Sequence, residues 1–178
     1  MKLFCGLIII ITLFGCQQKR VQPMVANNLQ VNRIPSQESW NSKVVFTDSG
    51  KTKAILHAGH IQVFSESMET LLDSNIKVDF YDLNQVHSST LTSKKGRVDD
   101  ATENLWAMDS VVVVSDSGVT IHTEELMWRN KDRKIVSDKF VTIISPKEKI
   151  QGYGFESDQS LRNYIIYNIT YITKRDTL

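Results

Sequence analysis

From residue 39 onward, runs rich in Val, Ile, Thr, Phe and Tyr recur between short polar breaks, and the apolar positions repeat every second residue. A period of two is that of strands, not helices. The clearest runs are Lys43–Thr47, Ala54–Phe64, Asn75–Tyr81, Ser110–Ser115, Val119–Thr123, Lys139–Ser145 and Tyr164–Thr173. In Asn75-Ile76-Lys77-Val78-Asp79-Phe80 the alternation is strict, which predicts one buried and one wet face. Asp48-Ser49-Gly50 and Ser115-Asp116-Ser117-Gly118 carry turn chemistry: side-chain oxygens that bond nearby backbone, then a glycine that tolerates positive φ. Asn130-Lys131-Asp132-Arg133 reads as another turn, and Asp99, Asp100 and Glu103 as a solvated one. Ser65–Leu72 fits either one short helix or a strand and turn. No segment carries a helical stripe over three turns, so the pattern predicts an all-β domain.

A longer periodicity lies over the short one. Leu91–Val114 can be laid on Ile121–Ile144 without a gap, setting Leu105 on Ile135, Val111 on Val141 and Val113 on Ile143. The second copy carries on to about 150–172, with Leu126 on Phe155, and Ala54–Phe80 is a looser early copy. Each unit reads strand, turn, strand, turn. Units of this length cannot bury their apolar faces alone and stack to share one core. The first pair also aligns one residue out of step, with Val111 on Phe140, and such a slip would exchange the inner and outer faces.

The N-terminus follows other rules. After Met1-Lys2, the run Leu3–Phe14 is almost wholly apolar. About twelve residues at ~1.5 Å each span roughly 18 Å, short of the ~30 Å core of a bilayer, so a signal-peptide segment is expected over 1–15. Leu13-Phe14-Gly15-Cys16 resembles the lipobox of bacterial lipoproteins, which implies lipidation of Cys16 and cleavage before it. An ordinary secretory signal with an incidental cysteine is the alternative. Gln17-Gln18-Lys19-Arg20 does not name the membrane. Residues 16–38, with Pro23, Asn27-Asn28 and Pro35, read as a lipidated tether, and 39–175 as the β domain.

Composition narrows the function. The chain has 178 residues, 41% hydrophobic, which suffices for one domain with a real core. Its formal net charge of +1 gives no reason to expect a nucleic-acid partner. Both cysteines, Cys5 and Cys16, lie in the N-terminal segment, so the body has no thiol for a disulfide, a zinc site or a nucleophile. His57 and His60, three apart on a strand, are expected on opposite faces, as are Glu124 and Glu125. His87 and His122 stand alone, and no nucleophile–base arrangement or phosphate-cradling glycine loop is present, so neither an enzyme nor a cofactor is expected. Gly152-Tyr153-Gly154 reads as a bulge or close strand approach. Trp40, Trp106 and Trp128 read as core or rim residues, with a lipid-contacting role open for Trp128.

Glu38-Ser39-Trp40, then Val45–Lys51, then Ala54-Ile55-Leu56-His57-Ala58 resembles the start of LptC-type proteins, the periplasmic components of the lipopolysaccharide-export ABC transporter. Val119–Leu126, Ile135–Asp138 with Val141, and Ile150–Phe155 resemble the repeat those proteins share with the periplasmic bridge component LptA. The likeness runs from about residue 36 to 173. It implies an open β-jellyroll whose two facing antiparallel sheets leave an apolar trough for the acyl chains of lipopolysaccharide. It also implies partners: the inner-membrane ABC transporter complex on one side and an LptA-like bridge protein, joined by edge-strand pairing, on the other. Candidate trough residues are Ile61, Val63, Ile76, Val78, Phe80 and Val111, and beyond them Val113, Ile121, Val141, Ile143, Phe155 and Ile169. Well-studied relatives hold on by a transmembrane helix where this chain has a lipobox, so the expected location is the periplasmic side of a membrane, the inner one favoured. The alternative is a structural or scaffolding β-lipoprotein that binds only proteins, or a bridge component of the LptA kind.

Overall fold

The structure, a computed structural model, describes residues 34–174. Its strands are β1 (Gln37–Asp48), β2 (Lys51–Phe64), β3 (Glu69–Tyr81), β4 (His87–Asp99), β5 (Asn104–Ser115), β6 (Thr120–Arg129), β7 (Lys134–Ile144), β8 (Glu148–Asp158) and β9 (Tyr164–Lys174). They form one antiparallel sheet in which every strand pairs with its neighbours in sequence. The turns expected from the sequence join them. Ser49 and Gly50 both have positive φ, 51° and 75°, which suits a tight hairpin between twisted strands. Gly118 (φ 84°) closes the β5–β6 turn by donating to the Ser115 carbonyl at 3.0 Å. Residues 65–72 take the strand–turn form: a single 3-10 turn, Ser65–Ser67, precedes β3.

Every strand from β2 to β8 is broken near its middle, and the breaks line up across the sheet. Pairing shifts between His57 and His60, Asp73 and Ile76, Thr92 and Lys95, Met108 and Val111, Thr123 and Met127, Ser137 and Phe140, and Gln151 and Gly152. Ser74, Asn75, Asp109 and Ser110 adopt positive φ there, as does Gly154. Bulges bend strands and sharpen their twist, so a row of them creases the sheet. The carbonyls freed along the crease are taken up by inward hydroxyls: Ser93 donates to Lys95 (3.0 Å), Thr123 to Phe140 (3.0 Å) and Ser137 to Glu125 (2.6 Å). This accounts for buried Ser93 and Thr123 in an apolar interior.

The crease folds the sheet onto itself. In a flat sheet β1 and β6 would lie about 24 Å apart at ~4.8 Å per strand. Instead the rings of Phe46 on β1 and Trp128 on β6 are 5.8 Å apart, and Phe80 on β3 meets the same indole at 5.4 Å. Outside these rings, Lys53 donates to Asn130 at 3.2 Å and Arg133 pairs with Asp48 at 3.6 Å. The halves of β1–β4 on the Phe46 and Phe80 side of the crease thus face the halves of β6–β8 on the other side, giving two layers and an open β-jellyroll.

Burial decides the repeat register. Leu91 and Ile121, Leu105 and Ile135, Val111 and Val141, and Val113 and Ile143 are all buried at corresponding places, whereas Phe140 is exposed. The out-of-step alignment of Val111 on Phe140 is therefore wrong. The bulges also correct two expectations. Ala58 and Ile61 both point inward, so His57 and His60 fall on the same, outer face. Thr123 and Leu126 likewise both point inward, leaving Glu124 and Glu125 together outside.

Candidate functional site

The candidate trough residues come together. Ile61, Ile76, Val78, Phe80, Val111, Val113, Ile121, Val141, Ile143 and Phe155 belong to one continuous buried cluster, and Val63 packs against it. Ile169 does not: it sits opposite Gly152 on the edge strand and is about half exposed, 51%. Among the described residues no strand lies beyond it to cover it. The cluster also holds residues outside the candidate set, chiefly Leu56, Leu72, Leu126, Trp128 and Leu161. Leu126 was within reach of the repeat, which matches it to Phe155. Leu161 was not, because it lies in the connection after β8 at φ 55°.

These side chains fill the space between the layers. Val78, Phe80, Val113, Ile121 and Val141 are fully covered. Trp128 closes the end where Phe46 and Phe80 meet it. The interior is thus apolar and closed between the layers.

Among the described residues two strand edges lack a neighbour. β1 exposes Trp40, Val44 and Val45; β9 exposes Ile165, Tyr167, Ile169, Tyr171 and Ile172. Unpaired, apolar edges of this length are templates for pairing with another strand. Beside β9 a cleft of about 680 Å³ is lined by Lys134, Glu148, Glu156, Asp158, Arg162 and Tyr164. Burial, aided by Glu148 3.5 Å away, raises the Tyr164 phenol above its ordinary value.

At the other edge, His60 Nδ1 faces Asp73 of β3 at 3.1 Å and Nε2 faces Glu38 of β1 at 2.8 Å, with Trp40 stacked on the ring at 5.3 Å. The hydrogen bonds to Glu38 and then Asp73 hold the imidazole above its ordinary value. Both ring nitrogens are engaged, so the ring is a strand clasp rather than half of a metal pair. Among the described residues no group of three or more His, Cys, Asp or Glu is placed to hold a metal.

Creased meander, continuous apolar interior and free edges define an open β-jellyroll protein. Within that class, residues 6–169 match the family described as lipopolysaccharide-assembly, LptC-related, and the chain belongs to that family. Membership makes it a component of lipopolysaccharide transport, associated with that machinery at the periplasmic side of the inner membrane in a non-enzymatic role. A search of curated proteins found no match. The expected signal segment, the lipidation of Cys16 and most of the tether lie outside the described residues; β1 begins at Gln37, two residues before the expected domain boundary.

Proposed function

We propose that the chain is a membrane-anchored periplasmic lipopolysaccharide-binding protein. It accepts lipopolysaccharide from an inner-membrane ABC transporter and passes it to an LptA-like bridge protein by edge-strand pairing. One observation carries the reading: among the described residues a single apolar interior runs beneath the sheet, between two edges with no paired neighbour. A lipid with several acyl chains has dozens of methylenes, each costing ~0.8 kcal/mol to wet, and cannot cross water uncovered. The layers cover the chains, the creased sheet gives way to admit them, and the edges align this interior with those on either side. Cys16, once lipidated, supplies the hold on the membrane.

Photo-crosslinking groups placed at Val113, Val141 and Ile143 test this. With the transporter running, each is expected to capture lipopolysaccharide; no capture from any of the three sinks the proposal. Depletion separates the scaffold alternative, since a carrier's loss strands lipopolysaccharide at the inner membrane and a scaffold's loss leaves export intact.

A further inference from the structure

The interior contains donors without acceptors. Among the described residues, the buried side-chain polar atoms left without a hydrogen bond are Trp128 Nε1 and Gln159 Nε2. Trp128 is wholly enclosed, and an indole N–H can only donate. Phe46 and Phe80, the rings against it, offer π faces and no lone pair. Gln159 lies in the β8–β9 connection, where its carbonyl accepts a 2.6 Å bond from the buried Ser89 hydroxyl. Ser89 stands directly opposite Phe80 in the β3–β4 ladder. The path Trp128–Phe80–Ser89–Gln159 therefore links the two residues through one ring contact, one ladder pair and one hydrogen bond to the Gln159 backbone carbonyl. Buried polar groups are nearly always paired, so an orphan in a well-packed core asks what else uses it.

We infer that Trp128 Nε1 and the Gln159 amide each receive a carbonyl oxygen of an acyl ester or amide when an acylated lipid occupies the interior. The inference rests on the carrier reading above and adds which part of the lipid is recognised. Methylene chains ask only for apolar cover, which Val78, Val113 and Ile121 give. The linkage carbonyl is different: it gives up water when it follows its chain inside, and an ester has no proton to offer in exchange. A dry site with spare donors fits that group and no charged one. In the empty protein the same donors are a standing cost, which loading relieves.

Calorimetry on the full chain carrying Cys16→Ser, with a matched pair of short-chain phospholipids, tests this. One carries its chains through ester carbonyls; the other carries the same chains through ethers. The ester lipid is expected to bind more tightly by roughly 3- to 10-fold, the range of one net hydrogen bond. Trp128→Phe and Gln159→Leu should each shrink that ratio towards one while the ether lipid still binds. Gln159→Leu also guards against a folding defect in Trp128→Phe, and it should leave the melting temperature of the empty protein unchanged or higher. Equal binding of ester and ether, or a preference that survives both substitutions, overturns the carbonyl inference and leaves lipid carriage standing. Failure of both lipids to bind overturns carriage as well.

Discussion

A single imidazole shows how much hangs on one residue in this sheet. His60 joins the edge strand β1 to β3 through Glu38 and Asp73, and Gln62 shares Glu38 at 3.1 Å. Lys95 of β4 stands opposite Asp73 in the ladder. Because the folded imidazole binds its proton more tightly than the unfolded one, its contribution is fully present below the ordinary value of 6.5 and fades as pH rises through the raised value. Asp73 is shifted the other way, through Ser74 and then His60, so its share is lost as pH falls through the lowered value. Hydrogen-exchange protection of β1 amides over 37–40 is expected to drop as pH rises above 6.5, and His60→Gln should abolish that dependence. Protection that stays flat with pH in the unmodified protein would refute the clasp. None of this was legible from spacing alone, since three residues apart on a regular strand means opposite faces. The missed signal was Gly59: a β-carbon there would lie 2.5 Å from the Ser74 carbonyl oxygen, so the backbones press together and the strand bulges.

At the scale of the element, the bent strand is the working unit. Its polar midpoints, such as Ser74-Asn75, Asp109-Ser110 and Glu124-Glu125, look like loop chemistry in the sequence, and that is why only one half of β5, β6 and β7 stood out as strand. β4 and β8 did not stand out as apolar runs and were reached only through the repeat. Leu91 and Val98 are the only large apolar side chains β4 buries, and serines and a glycine fill its other inward places. Gly152 was legible as a close approach, and the structure gives the reason: a β-carbon there would sit 2.3 Å from the Asn168 carbonyl oxygen. Gly152→Ala should therefore lower stability by about 1–3 kcal/mol and loosen β9 selectively, as read by thermal unfolding and hydrogen exchange. Gly118→Ala, whose nearest neighbour is Pro146 at 3.6 Å, meets no such obstacle. Its cost is that of a left-handed backbone, about 1–2 kcal/mol, without an effect on β9. An equal loosening of β9 by both would show that the close approach is not what holds that edge.

For the whole molecule, the repeat told more than any single strand did. It fixed which residues share the interior, from Leu105 with Ile135 to Val113 with Ile143, although the choice of register needed Phe140 to be seen outside. The fold-back was not legible, because nothing in local pattern says that Phe46 will meet Trp128. Division of labour at this scale is open to test: if lipidated Cys16 serves only as the hold, Cys16→Ser should release the chain from membranes while the β domain keeps its lipid capture in a binding assay. Loss of capture on release would give the anchored segment a share in binding. The strand order carries one more consequence. Because each strand pairs only with its neighbours in sequence, the ladder can be built in the order the chain is delivered, N-terminus first, with no strand waiting for a later one to slot between. The inner face of β1–β4, with the rings of Phe46 and Phe80 at its end, is covered only when β6–β8 fold back over it, so the two layers close late, after the strands that first line them have already paired.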